Sequence, residues 1–126
     1  MKNSNNATIL IVDDTKTNVD VLVHTLKGQY KLGVALNGKD AVRFATTHHP
    51  QLILLDIIMP EMDGFQVCRT LKANPETRGI PIIFITAMDN EIHRRKCIEC
   101  GGADYITKPF VAAEIKQKIR HHITPA

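Results

Sequence analysis

Five short apolar runs recur along the chain, at Ala7 to Val12, Leu32 to Leu36, Leu52 to Leu55, Ile82 to Ile85 and Ala103 to Ile106. The first, third and fourth are nearly continuous in Ile, Leu, Val and Phe. Such runs suit strands buried on both faces of a parallel sheet. Between them the spacing turns helical. Val19, Leu22, Val23 and Leu26 repeat at three and four, and Gly28 follows as a stop. Gly38 opens a second helix with Ala41, Val42 and Ala45 inward. Phe65, Cys68 and Leu71 mark a third, and Val111, Ile115, Ile119 and Ile123 a last one. The helix expected from about Asp89 to Cys100 is the weak member. Ile92, Cys97 and Cys100 give it a thin apolar face, and Arg94, Arg95 and Lys96 crowd the rest. A helix with little to bury is a candidate for mobility.

Strand–helix alternation five times over predicts an α/β fold with a parallel sheet covered on both faces. The expected form is a flavodoxin-like, doubly wound (βα)5 unit with strand order 2-1-3-4-5. At 126 residues the chain has room for one domain, taken as residues 1–126. Residues 1–6 read as a polar extension without the apolar core of a signal peptide. Residues 124–126 read as a possible stub of a linker to an output domain. With 44% hydrophobic residues the chain is too apolar for disorder. No apolar run approaches the length of a membrane span. Three cysteines are too few for a disulfide framework, so a cytoplasmic location is expected.

In such a sheet, ligands bind beyond the carboxyl ends of the strands, at the point where the strand order reverses. The first run ends in Asp13 and Asp14, the third in Asp56, and the fourth in Thr86. The fifth is followed by Lys108 and Pro109. The expected order brings three carboxylates, a hydroxyl and an ammonium together. Close carboxylates repel by a few kcal/mol per pair, an order-of-magnitude figure at an effective dielectric near 20. Protonation or a hard cation relieves that repulsion. Mg²⁺ takes oxygen ligands and keeps room for phosphate oxygens. Beside a Lys and a Thr it would equip the site to hold a phosphoryl group, with Asp56 as a carboxylate nucleophile. Singly these residues carry little, since Asp14 is also a good helix N-cap and Asp63-Gly64 a good turn.

Four segments carry a family resemblance in order. They are Ile9 to Asp14, Leu54 to Gly64, Ile85 to Ala87 and Gly102 to Phe110. Over about Thr8 to Ile123 the chain resembles the receiver domain of bacterial two-component response regulators. The resemblance implies that Asp56 is the phosphoacceptor. It implies that Asp13, Asp14, Asp56 and the backbone carbonyl of Ile58 bind Mg²⁺, with Mn²⁺ able to substitute. Thr86 would be the switch hydroxyl, Lys108 the phosphoryl-contacting cation and Tyr105 the aromatic rotamer switch. A cis Lys108–Pro109 bond is also implied. The donor would be a phospho-His on a sensor histidine kinase or a His phosphotransfer protein. The domain would catalyse only its own phosphorylation and dephosphorylation, a switch more than an enzyme. Ile58 and Met88 fall where the family flanks the attacking water. Both are apolar, so a long-lived phosphoryl state is expected.

Two other functions compete. An Asp-nucleophile phosphatase of the haloacid dehalogenase type wants a second Asp two residues after the first, and Ile58 stands there. A non-phosphorylated pseudo-receiver that only binds protein would usually lack an acidic residue or the Lys. The resemblance names no particular output. Cys97 and Cys100 form a CxxC spacing with no second pair to complete a zinc site. His48-His49 and His121-His122 read as solvated helix ends. No phosphate-binding glycine motif supports nucleotide binding, and neither nucleic-acid nor membrane binding is expected. The net charge of +3 is small, but its position is informative. Residues 1–90 balance nine Lys and Arg against nine Asp and Glu, whereas residues 91–126 carry seven against four. That segment covers the fourth helix, fifth strand and fifth helix. Receivers commonly use this face for output and homodimerisation, so an acidic partner opposite Arg94, Arg95 and Lys96 is expected.

Overall fold

The computed structural model describes residues 7–87 and 90–123. Ten elements alternate without exception: β1 (Thr8–Val12), α1 (Lys16–Leu26), β2 (Lys31–Ala35), α2 (Gly38–His48), β3 (Leu52–Asp56), α3 (Gly64–Ala73), β4 (Ile82–Thr86), α4 (Glu91–Glu99), β5 (Asp104–Thr107) and α5 (Ala112–Ile123). The strands form one parallel sheet in the order β2-β1-β3-β4-β5. This is the doubly wound, flavodoxin-like arrangement that the alternation predicts.

The period of two along each strand divides the core. Leu10, Val12, Ile53, Leu55, Ile82 and Phe84 face one side and pack with residues of α2, α3 and α4. Ile9, Ile11, Leu52, Leu54, Ile83 and Ile85 face the other and pack with α1 and α5. Every residue of β3 and β4 is buried. Asp56 and Thr86, the last residues of those strands, are thereby held at the end of the buried centre of the sheet.

Capping determines where several helices begin. Asn37 accepts a hydrogen bond from the Asp40 amide, and Asn90 accepts one from the His93 amide. Asp63 and Gln66 form a reciprocal capping box at the start of α3. Asp63-Gly64 is therefore a helix start and not an isolated turn. Asp14 is not a cap either. Thr15 holds the N-cap position of α1, and the Thr15 amide donates to Asp13 Oδ1 at 2.9 Å.

Several apolar positions differ from the pattern. Val111 is exposed because it precedes the first turn of α5, while Ile115 and Ile119 are buried. Leu36 lies beyond β2 and is exposed. On α4, Ile92 points to solvent, and Cys97 is the buried residue of the helix. Met88, residues 1–6 and residues 124–126 lie outside the described residues, with the expectations placed on them. No described helix is long and apolar enough to cross a membrane.

Candidate functional site

The carboxyl ends of β1, β3, β4 and β5 meet along one edge of the sheet. Asp13 and Asp14 follow β1 directly, Asp56 and Thr86 close their strands, and Lys108 follows β5. Carboxylate oxygens of Asp13, Asp14 and Asp56 lie within 4.8 Å of one another. Asp13 and Asp56 are buried, and Asp14 is exposed. Lys108 Nζ stands 3.4 Å from Asp13 Oδ2 and 3.5 Å from Asp56 Oδ1. One ammonium thus meets two of the three carboxylates.

That imbalance shows at Asp56. Burial is the main influence raising its pKa, and the charge of Asp13 adds to it. Lys108 opposes both, and the result lies at about 6. Hard oxygen donors, excess negative charge and one solvent-facing carboxylate suit a small divalent cation that retains water or phosphate oxygens in its shell. The residues fit the group.

Around the acids, the backbone is tightly held. The Lys108 amide donates to the Thr86 carbonyl at 2.8 Å, and Thr86 pairs in register with Thr107. The Lys108–Pro109 bond is cis. The Gly64 amide donates to the Ile57 carbonyl at 2.8 Å. A Cβ on Gly64 would collide with the carbonyl oxygen of Asp56. Gly64 is a supporting residue, although in the sequence Asp63-Gly64 reads only as a turn. Its signal was glycine at a helix start, where a better helix former would otherwise serve.

The remaining candidates divide. Ile58, two residues after Asp56, is 58% exposed. Tyr105 is half-buried on β5, paired in register with Phe84 two positions before Thr86, with the Arg94 guanidinium 5.4 Å from its ring centroid. It therefore lies on the face of the sheet that α4 covers. His122 is not a solvated helix end, since its Nε2 lies 3.2 Å from Asp104 Oδ2. Lys118 Nζ meets the other oxygen of Asp104 at 2.9 Å.

Comparison with known proteins agrees with this geometry. The family model of the response regulator receiver domain matches residues 9–120, and the chain belongs to that family. It is 42% identical over 115 residues to the response regulator PleD of Caulobacter vibrioides, covering 90% of this chain and 25% of that protein. The chain thus spans about a quarter of the length of that relative. Among solved structures, it resembles the signal receiver domain of a signal transduction histidine kinase from Syntrophus aciditrophicus. The TM-score is 0.86 at 37% identity, covering 94% of this chain and 90% of that one. It also resembles the receiver domain of the sensor histidine kinase PA1611 from Pseudomonas aeruginosa, whose active-site cleft coordinates a magnesium ion. Here the TM-score is 0.88 at 31% identity, covering 95% of this chain and 99% of that one.

Proposed function

We propose that the chain takes a phosphoryl group onto Asp56 from a phospho-His of a sensor kinase or a His phosphotransfer protein. The observation that carries this reading is the convergence of Asp13, Asp14 and Asp56 with Lys108 at the sheet edge. The Asp56 carboxylate attacks the phosphorus, an O–P bond forms, and the donor's N–P bond breaks, leaving imidazole. Lys108 lies where it can bind a phosphoryl oxygen and offset the added charge. Asp13, Asp14 and Asp56, with the Ile58 carbonyl, would hold Mg²⁺, which would screen the carboxylate from the incoming anion. Ile58 offers no polar group to orient a water, which favours slow hydrolysis.

The new oxygens give Thr86 a partner on Asp56, and Tyr105 and Arg94 respond across β5 and α4. The output surface is then the face of α4, β5 and α5, which serves a homodimer, an attached output domain or an acidic partner. The domain acts on itself alone and turns over no external substrate.

Acetyl phosphate with Mg²⁺ should add about 80 Da to the intact mass of the chain, the mass of one phosphoryl group. Asp56→Asn or a chelator should abolish the increment. Beryllofluoride should shift the thermal midpoint of the parent and not of Asp56→Asn. Turnover of a phosphate ester would favour a hydrolase, and no response to either reagent would favour a pseudo-receiver.

A further inference from the structure

Cys68 is far in sequence from Cys97 and Cys100, and none of the three has a part in the phosphoryl chemistry, yet the fold gathers them. Cys68 lies on the inner face of α3 and is fully buried. Cys97 is buried on α4, and Cys100 caps the end of that helix, half-buried. The Cys68 thiol donates to the Cys100 carbonyl at 3.1 Å, across 32 residues of chain. The Cys100 thiol donates to the Cys97 carbonyl at 3.4 Å.

The two sulfurs at the α3–α4 junction differ in character. A hydrogen bond between the Cys68 and Cys100 side chains is the main influence lowering the Cys100 pKa. Burial opposes it, and Arg69 is among the groups that assist. The same hydrogen bond, together with burial, raises Cys68. Burial also pushes Cys97 up to about 11, which keeps it protonated. Cys100 has a route to solvent as well. It lines a surface cleft of about 390 Å³ between α3 and α4, with Arg69, Lys96, Asp63, Phe65 and Glu99. A half-exposed thiol whose pKa is lowered is the more reactive kind, and a buried thiol in contact with it is placed to resolve the product.

We propose that Cys68 and Cys100 form a peroxide-responsive disulfide that ties α3 to the end of α4. The Cys100 thiolate attacks a hydroperoxide, forming an S–O bond as the O–O bond breaks. The leaving oxygen takes a proton and departs as water or an alcohol. The Cys68 sulfur then attacks the Cys100 sulfenic sulfur, forming the S–S bond and breaking the S–O bond. The Cys68 proton and the departing hydroxyl make water. The two thiols lose two electrons and the peroxide gains them. Cys97 stays reduced, because its sulfur is packed inward on α4 away from the peroxide.

The test is a thiol count and a peptide map of the whole chain after hydrogen peroxide treatment and quenching. Free thiols should fall from three to one, with a loss of about 2 Da, the two hydrogens removed in forming one disulfide. Dithiothreitol should restore both. Cleavage after Glu99 separates Cys97 from Cys100, and the cross-linked peptides should contain Cys68 and Cys100. Cys97→Ala should still form the link, and Cys100→Ser should not. A Cys97–Cys100 link, a disulfide-linked dimer, or Cys100 oxidised to the sulfinic acid beside a reduced Cys68 would overturn the proposal. So would three thiols persisting through the treatment. The parent's map is decisive even if a variant fails to fold. It needs no phosphoryl group, so its failure leaves the phosphoacceptor reading intact.

Discussion

At Asp56, burial and charge act against each other. Burial and Asp13 push its carboxyl up to about 6, and Lys108 only partly offsets them. An unfolded Asp titrates near 4. Across the window from about pH 4 to 6 the folded chain holds a proton that the unfolded chain has released. The stability from this group therefore falls as pH rises through that window, and it stays low above it. In chelator, Asp56→Asn should be more stable than the parent at pH 8, by about 1–3 kcal/mol. The gap should close toward pH 4. Urea denaturation at the two pH values checks this, and an Asn variant no more stable at pH 8 would count against it. The carboxylates themselves were legible in the sequence because each directly follows an apolar run. Gly64 was not. Its role depends on the approach of its backbone to the carbonyl oxygen of Asp56, which no local pattern encodes.

Among the elements, α4 is the least anchored. Cys97 is its buried residue, against five on α3. Its apolar face proves thinner than the spacing implies, since Ile92 and Ile98 are both exposed. An ion pair between Arg95 and Glu91 at 3.6 Å joins two exposed side chains and adds little. The α4 amides should therefore exchange with deuterium at least about tenfold faster than those of α3, as expected where few apolar contacts oppose local opening. Exchange followed by mass spectrometry measures this, and equal protection of the two helices would refute it. The weakness of α4 was readable from its crowding by Arg94, Arg95 and Lys96. The meeting of Cys68 with Cys100 was not, because the CxxC spacing drew attention to Cys97 and helical periodicity says nothing about which helices touch.

Across the whole molecule, the basic excess of residues 91–126 is less available than its count implies. Lys108 is committed to the acidic cluster and Lys118 to Asp104. The sequence shows where the excess falls along the chain. It does not show this pairing, since Asp104 meets partners 14 and 18 residues away. Those contacts matter to the fold as a whole, because β5 is an edge strand of four residues and α5 folds back over it. Burial acts to raise the Asp104 pKa, but hydrogen bonds from Lys118 and His122 overcome it and hold the carboxyl below its ordinary range. For a depressed carboxylate the sign is opposite to that at Asp56. The stabilisation is complete above about pH 4, near the unfolded value, and is lost as pH falls through the lower folded value. Asp104→Asn should therefore lower stability at pH 7 by about 1–2 kcal/mol, the range for hydrogen bonds to a charged group discounted for partial exposure. The deficit should shrink when the comparison is repeated near pH 3. Denaturation at both pH values decides the matter. A constant deficit would mean that the carboxylate's shape, and not its charge, holds β5 to α5.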